Sequence, residues 1–217
     1  SWRPDLIDGD FAILMEPTDG RVEGGCQGTM RFTLEVPGRA AHSARSWIGH
    51  NAIHDLSAVL ERLNRWQERD PFVEVDGLTF REGLNATMLD AGVAGNVIPP
   101  TATIQINYRF APDKTTEQAR QYMEDLFHEW PMNVLDLSAP ARPGLDRPLA
   151  KSFVAAVGGE PGPKYGWTDV ARFGQLGIPA VNFGPGNALC AHQVDECCRL
   201  GSLDECYRAL HTWLASR

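Results

Sequence analysis

Residues 30–36, Met30-Arg31-Phe32-Thr33-Leu34-Glu35-Val36, alternate between apolar and polar side chains. A period of two is typical of a β-strand that buries one face and exposes the other. Further strands are predicted at 85–89, at 103–110, where Ile104, Ile106 and Tyr108 alternate with polar residues, and at 133–137. The sequence therefore predicts a sheet built around residues 30–36.

Two helices are predicted between these strands. The first begins near Asn51, and its apolar residues recur at helical spacing: Ile53, Leu56, Leu60 and Leu63. The second opens with a capping box, Thr115-x-x-Gln118, and its apolar face comprises Ala119, Tyr122, Met123 and Leu126. The order strand–helix–strand–strand–helix–strand is the split βαβ, or ferredoxin-like, pattern, which we assign to residues 25–138.

The sequence on either side of this module is typical of an α/β domain. A short apolar strand at 11–15 ends at Glu16-Pro17, and a second buried strand at 180–183 leads into a glycine–proline loop. Helices are predicted at 149–157 and 169–176, and a last helix is predicted to be capped by Ser202-x-x-Glu205. We therefore predict one α/β domain in two pieces, residues 1–24 and 139–217, interrupted by the βαββαβ module.

Composition and charge indicate which classes of partner and which cell compartment fit this sequence. The net charge of -8 over 217 residues argues against a nucleic-acid partner or an anionic membrane surface. The sequence contains neither an apolar run as long as a membrane span nor a charged-then-apolar leader. The five cysteines include no C-x-x-C pair, which indicates reduced thiols. We expect a cytoplasmic protein.

Three side chains lie where metal or acid–base chemistry is commonly found. Glu16 and His192 each follow a buried strand, and a carboxylate and an imidazole at the edge of a sheet suit Zn²⁺. The alternatives are a solvated turn carboxylate and a surface or capping histidine. His42 lies among small residues in 40–44, where a substrate could approach closely, although a turn histidine also fits.

Two arginines and an asparagine are candidates for substrate binding. Arg109 is the charged residue of the strand predicted at 103–110, so it either pairs with a carboxylate of its own fold or binds an anionic ligand. Arg172 is a second candidate, although the neighbouring Asp169 is expected to cap the helix that carries it. Asn96 either occupies a left-handed turn or hydrogen-bonds a substrate.

Taken together, the ordered motifs resemble the dizinc aminoacylase/carboxypeptidase family of metallopeptidases. They are Leu14-Met15-Glu16-Pro17-Thr18, Ala41-His42-Ser43, Gly95-Asn96-Val97-Ile98-Pro99, Asn107-Tyr108-Arg109-Phe110, Gly166-Trp167-Thr168-Asp169, and Gly184-Pro185-Gly186 through Ala191-His192. Within that family, residues 25–29, 42–47 and 164–169 look like the bacterial succinyl-diaminopimelate desuccinylase branch.

The resemblance implies a role for each matching residue. Glu16 would bind one zinc and His192 the other, with cobalt as a possible substitute. His42 would reach across a homodimer to stabilise an oxyanion. The residues that would hold the carboxylates and amide of an N-acyl diamino acid are Asn96, Arg109, Thr168 and Arg172. The inserted module would be the lid and dimerisation domain.

The 217 residues depart from the family pattern in two respects. The smaller is the spacing from Gly186 to His192, which looks closer to that of acetylornithine deacetylases. Upstream of the Glu-Pro motif, family members carry a His-x-Asp motif, a bridging Asp and a Glu-Glu pair, which this sequence lacks. Each zinc would keep one ligand from this chain, so we expect weakly bound or absent metal and no activity from the chain alone.

The expected reaction of the whole protein follows from the same resemblance. It is hydrolysis of N-succinyl-LL-2,6-diaminopimelate to succinate and LL-2,6-diaminopimelate, a step in the synthesis of lysine and cell-wall precursors. The alternatives are an acetylornithine deacetylase or another N-acyl-amino-acid hydrolase of the family, and a non-catalytic ferredoxin-like dimerisation module.

Overall fold

The computed structural model describes residues 7–190 and 193–216. Twelve strands are described: β1 Ala12–Leu14, β2 Glu23–Gly24, β3 Gly28–Pro37, β4 Ala41–His42, β5 Phe72–Val75, β6 Leu78–Arg81, β7 Gly83–Ala91, β8 Val97–Ile98, β9 Thr101–Phe110, β10 Met132–Ser138, β11 Gly162–Pro163 and β12 Ala180–Asn182. The α-helices are α1 Ala52–Gln67, α2 Thr116–Leu126, α3 Pro148–Val157, α4 Val170–Gln175 and α5 Leu200–Ala215. In the described part of the chain, no helix is both long and apolar enough to cross a membrane.

The chain divides into two compact units. Unit 2 comprises Gly28–Val73 and Arg81–Ala139, and unit 1 comprises the described residues up to Gln27, Glu74–Phe80 and the described residues from Pro140 onward. The domain boundaries inferred from the sequence, 1–24, 25–138 and 139–217, stay a prediction.

Unit 2 is a four-stranded antiparallel sheet in the order β10-β3-β9-β7. In chain order these are the fourth, first, third and second strands, which is the ferredoxin-like arrangement predicted from the sequence. Alternation along β9 buries Ile104, Ile106 and Tyr108, and these side chains pack with residues of α1 and α2 in one apolar core. The opposite face of the sheet carries polar side chains and is not covered by these helices.

The two helices of unit 2 test the sequence patterns separately. The capping box of α2 is present as predicted: the Gln118 N–H donates to Thr115 Oγ1 at 3.2 Å, and the Thr115 N–H donates to Gln118 Oε1 at 2.9 Å. The predicted apolar face of α1 was partly wrong, because Ile53 and Leu60 are 42% and 45% exposed. The buried face comprises Ala52, Leu56, Val59, Leu63 and Trp66. Ile53 and Leu60 each follow a buried residue and therefore lie about 100° farther round the helix.

A buried carboxylate connects three segments of unit 2. The Glu82 side chain is 3% exposed, and its Oε1 accepts hydrogen bonds from the Tyr108 hydroxyl at 3.1 Å and the Ala111 N–H at 3.0 Å. Lys114 Nζ lies 3.0 Å from Oε1 and Arg69 Nη2 lies 3.5 Å from Oε2. Burial and the adjacent carboxylate raise the pKa of Tyr108 well above its usual value. Glu82 therefore ties α1, β9 and the segment before α2 together.

The sequence patterns did not identify the β5–β6 hairpin. Its turn is Asp76-Gly77, with φ of +49° and +80°, a left-handed pair that suits a two-residue hairpin. In unit 1, Arg142 Nε donates to Asp76 Oδ2 at 2.9 Å and a second guanidinium nitrogen bonds Oδ1. The bidentate pair fixes the turn against the segment that precedes α3.

Unit 1 contains a mixed sheet in the order β1-β12-β2-β11. The predicted opening strand and the strand at 180–183 do lie in one sheet, where β1 and β12 pair in parallel. Helices α3 and α5 contribute Phe153 and Trp213 to the core beside Val181 and Phe183. The predicted cap of the last helix was wrong, because α5 begins at Leu200 and Ser202 lies inside it, donating through Oγ to the Arg199 carbonyl at 2.7 Å.

Candidate functional site

In unit 1, Glu16 lies at the carboxyl edge of the sheet. Strands β1 and β12 run in parallel, so the segments that follow them, 15–17 and 183–185, leave the sheet at the same edge. Gly184 touches the backbone of Glu16 so closely that a Cβ there would lie 2.5 Å from the Glu16 carbonyl oxygen. The Gly184 N–H donates to Thr18 Oγ1 at 3.1 Å, and that hydroxyl donates back to the Gly184 carbonyl at 3.2 Å. These contacts hold the half-buried Glu16 at a defined place.

A buried ion pair contacts the segment 15–17 that carries Glu16. Lys164 Nζ lies 3.0 Å from Glu23 Oε2, and both side chains are largely buried. Lys164 Nζ also donates to the Pro17 carbonyl at 3.4 Å, immediately after Glu16. The Asn182 amide donates to the Gly25 carbonyl at 3.2 Å. Strands β2, β11 and β12 are thus linked to the loop that carries the candidate ligand.

The described residues do not by themselves fit a metal centre. His192, the second predicted ligand, lies outside them. Within residues 7–190 and 193–216, no three His, Cys, Asp or Glu side chains come together in a group that could hold a metal ion. Glu16 and His192 as metal ligands therefore stay predictions.

The motif Gly166-Trp167-Thr168-Asp169 leads into α4. Thr168 is buried, and its carbonyl accepts a hydrogen bond from the Cys26 thiol at 3.7 Å. Burial raises the pKa of that thiol, so it is protonated and donates. Asp169 precedes α4 without a side-chain capping bond, so the capping prediction was wrong. Its carboxylate instead lies 3.0 Å from Arg172 Nε. This ion pair partly neutralises the charge of Arg172, the second candidate arginine for substrate binding.

In unit 2, His42 and Asn96 lie together on a small two-stranded sheet. Strand β4 pairs with β8 so that His42 faces Val97, and the Ser43 N–H donates to the Asn96 carbonyl at 2.9 Å. The Ala44 N–H donates to His42 Nδ1 at 3.1 Å. A nitrogen that accepts an N–H carries no proton, so the neutral ring has its proton on Nε2. Both side chains are exposed, and His42 presents Nε2–H as a donor.

Arg109 lies on the polar face of the unit 2 sheet, half-buried. Burial lowers the pKa of its guanidinium below the usual value, while Asp136 acts in the opposite direction. Among the described residues no carboxylate forms an ion pair with Arg109, and Asp136 lies 3.9 Å from Arg31 instead. Of the two possibilities left open by the sequence, pairing within its own fold does not occur in the described part of the chain.

Sequence reasoning missed the polar residues that surround these candidates. Asn107 accepts a hydrogen bond from Arg109 Nε at 3.1 Å, and Asn107 Nδ2 donates to Thr29 Oγ1 at 3.2 Å. The two-residue period of β9 could have placed Asn107 beside Arg109, but the approach of Thr29 depends on strand register. The Glu23–Lys164 and Glu82 clusters join residues far apart in sequence and left no local signal.

Known proteins resemble this chain in both sequence and fold. Residues 25–129 match the M20 peptidase dimerisation domain. The chain is 51% identical over 213 residues to the putative succinyl-diaminopimelate desuccinylase DapE of Mycobacterium tuberculosis, covering 97% of this chain and 60% of that protein. It is 39% identical over 220 residues to the succinyl-diaminopimelate desuccinylase of Corynebacterium glutamicum, covering 98% and 58%.

Solved structures share the fold at low sequence identity. A tripeptidase from Staphylococcus aureus superposes with a TM-score of 0.74 at 19% identity, covering 98% of this chain and 58% of that one. An M20 family metallo-carboxypeptidase from Sulfolobus solfataricus gives 0.68 at 16% identity, covering 96% and 63%. The chain spans 60% or less of the length of the two desuccinylase relatives it matches. On sequence and fold together, the chain is similar to metallopeptidases of the M20 family along most of its length, and residues 25–129 match the M20 peptidase dimerisation domain.

Proposed function

We propose that this chain forms part of a cytoplasmic, metal-dependent hydrolase that cleaves N-succinyl-LL-2,6-diaminopimelate to succinate and LL-2,6-diaminopimelate. The names and identity levels of the Mycobacterium and Corynebacterium relatives support this choice of substrate. The structural observation that carries it is Arg109, a half-buried guanidinium that forms no ion pair within the described residues. A substrate with several carboxylates would supply the missing anion.

The other proposed substrate residues differ in how accessible they are. Asn96 is exposed beside His42 and can offer its amide. Arg172 would have to share its guanidinium between the substrate and Asp169. Thr168 is buried, and its Oγ1 has no hydrogen-bond partner among the described residues.

His42 is proposed to stabilise the negative charge that develops on the substrate's carbonyl oxygen. Because Nδ1 already accepts the Ala44 N–H, the neutral ring offers Nε2–H to that oxygen without prior proton transfer. In this proposal the partner subunit of a homodimer presents the histidine.

Glu16 and His192 are proposed as ligands of two different zinc ions, for which cobalt could substitute. One protein ligand for each ion is too few for tight binding, because zinc sites use three or four. We therefore expect the 217-residue chain to bind zinc weakly and to hydrolyse no substrate by itself.

The catalytic proposal is tested in a chimaera in which these 217 residues replace the matching segment of the Mycobacterium tuberculosis relative. With zinc, the chimaera is expected to release succinate from N-succinyl-LL-2,6-diaminopimelate and to prefer it to N-acetylornithine. Arg109→Leu should lower kcat/KM by about ten- to a hundredfold, the value of a charge-assisted hydrogen bond. Arg120→Leu, which removes an exposed arginine paired with Glu124, is the matched control.

Two results would contradict that proposal. Preference for N-acetylornithine would assign the chain to the deacetylases. A folded, zinc-loaded chimaera that hydrolyses neither compound would leave the non-catalytic dimerisation module as the better description.

The homodimer is proposed to form at the β7 edge of unit 2. Strand β7 ends the sheet, and residues 85–91 are exposed, including Met88 at 66% and Leu89 at 60%. An exposed edge with apolar side chains is a template for pairing with a second strand. Helix α1 packs beside this strand and exposes Ile53 and Leu60.

Light scattering after size exclusion tests the dimer. The chain is expected to elute as a dimer, and Met88→Lys is expected to convert it to a monomer. Leu135→Lys places the same charge on β10, the other edge of the sheet, and should leave the dimer intact. If Leu135→Lys gives a monomer and Met88→Lys stays a dimer, the interface lies at β10. If the unsubstituted chain is a monomer, the proposed homodimer is wrong.

A further inference from the structure

The polar face of the unit 2 sheet aligns three side chains across two neighbouring strands. Arg109 and Asn107 are two residues apart on β9 and therefore point to the same face. Arg109 pairs in register with Thr29 of β3, and side chains of paired residues also share a face. Strand geometry alone thus brings Thr29, Asn107 and Arg109 together.

Hydrogen bonds join these three side chains in a fixed order. Arg109 Nε donates to Asn107 Oδ1 at 3.1 Å, and Asn107 Nδ2 donates to Thr29 Oγ1 at 3.2 Å. A guanidinium N–H can only donate, so the amide oxygen must face Arg109 and the amide nitrogen must face Thr29. The contacts therefore fix the orientation of the amide as well as the Nε edge of the guanidinium.

The strand on the other side of Arg109 leaves space beside it. Gly83 of β7 pairs with Arg109 and has no side chain to cover the guanidinium. Even a Cβ at Gly83 would approach only the Asn85 amide nitrogen, at 3.7 Å. Thr29 lies at the paired position on one side of the guanidinium, and an open position lies on the other.

The charges close to Arg109 favour an anion. Arg31 and Arg109 are neighbouring cations, and Asp136 is the carboxylate that faces them, 3.9 Å from Arg31. Arg109 forms no ion pair among the described residues. The hydrogen bond to the neutral amide of Asn107 orients the guanidinium and leaves its charge in place. A carboxylate at the position of Asn107 would cancel that charge.

We propose that Asn107 and Thr29 are positioning residues, which hold Arg109 by its Nε edge so that its two Nη groups meet a substrate carboxylate over Gly83. This inference rests on the proposed function, because it takes Arg109 as the carboxylate site. Asn107 and Thr29 act through the arginine and do not touch the ligand. The arrangement suits a planar, two-oxygen anion, which a guanidinium binds through two parallel hydrogen bonds.

The test follows the side-chain signals of Arg109 in ¹⁵N-labelled chain while succinate is added as the carboxylate probe. In the unsubstituted chain, the Arg109 Nε–H signal should be protected from solvent exchange, and succinate should shift the Nη signals saturably. Asn107→Ala should abolish the protection and weaken succinate binding about five- to tenfold, the value of one ordering hydrogen bond.

Matched variants separate positioning from general damage. Thr29→Val keeps the shape but removes the acceptor for Asn107, and should weaken binding in the same direction. Thr29→Ser keeps the hydroxyl and should restore both the protected signal and the affinity. Asn133→Ala removes an exposed asparagine of β10 and should change nothing. The backbone amide spectrum confirms that each variant is folded.

The possible failures are distinguishable. If the parent chain binds succinate at Arg109 but Asn107→Ala and Thr29→Val bind it equally well, the positioning role is overturned while the carboxylate site stands. If succinate leaves the Arg109 signals of the parent chain unchanged, Arg109 is not a carboxylate site, and both this inference and its basis in the proposed function are overturned.

Discussion

Replacing Glu82 by glutamine should destabilise unit 2 selectively. The substitution keeps the shape of the side chain, and its amide oxygen can still accept from Tyr108 and Ala111. What it removes is the negative charge that faces Lys114 and Arg69. Breaking a buried ion pair costs about 3–5 kcal/mol, and a hydrogen bond to a charged group contributes about 1.5–3 kcal/mol.

The smaller of these two costs applies to Glu82. The Lys114 and Arg69 side chains are 25% and 39% exposed, so water can solvate them once their partner is lost. We expect Glu82→Gln to lower the free energy of unfolding of unit 2 by about 2–3 kcal/mol. That change corresponds to opening that is on the order of 30- to 150-fold more frequent.

Native-state hydrogen exchange measures this opening in the intact chain. The amides of Phe32 and Ile106, on paired core strands, report on unit 2, and the amide of Val181 reports on unit 1. Glu61→Gln is the matched control, because it makes the same substitution at an exposed carboxylate paired with Arg65 and should cost under about 0.5 kcal/mol. Equal exchange rates in the two variants would refute the assignment of Glu82 as the electrostatic anchor of unit 2.

Three further predictions follow from backbone and burial. Gly184→Ala should destabilise unit 1 by about 2 kcal/mol, since its Cβ would overlap the Glu16 carbonyl. Gly166→Ala is the control, because a Cβ at Gly166 would meet no atom within 4 Å. Equal urea midpoints for the two variants would contradict this prediction. Gly77→Ala should cost about 1 kcal/mol because φ is +80°; an unchanged melting temperature would argue against it. Because folding raises the pKa of Tyr108 above its usual 10, the unfolded chain ionises first, and stability should fall above pH 10 by up to about 1.4 kcal/mol per pH unit. Tyr108→Phe should flatten that decline in urea titrations between pH 9 and 11, and parallel curves would contradict the assignment.

The sequence predicted those elements whose side-chain pattern is local and complete. Alternation at 30–36 and 103–110 located β3 and β9, and the capping box at Thr115 located the start of α2. Local patterns misled where two interpretations have similar spacing. Ile53 fits a helical stripe as well as Ala52 does, and only packing against the sheet decides between them. Ser202 resembles a cap, yet α5 begins two residues earlier.

The candidate site was predictable in its residue types but not in its interactions. Arg109 was recognisable as a cation in a strand, but whether a carboxylate neutralises it depends on strand register and on Asp136. The tautomer of His42 depends on the backbone N–H of Ala44, which no composition or motif specifies. Glu82 gave no signal because its partners, Tyr108, Ala111 and Lys114, come together only in the folded unit.

The parallel pairing of β1 with β12 has a consequence for the order of folding on the ribosome. Every strand of the unit 2 sheet lies between Gly28 and Ser138, so that sheet can close as soon as β10 has been made. Strand β1 can pair with β12 only after residues 180–182 have been synthesised. At roughly 5–20 residues per second, an apolar strand stays without its neighbour for some seconds after unit 2 is complete. During that interval, the backbone groups of β1 that pair with β12 in folded unit 1 have no strand to bond to.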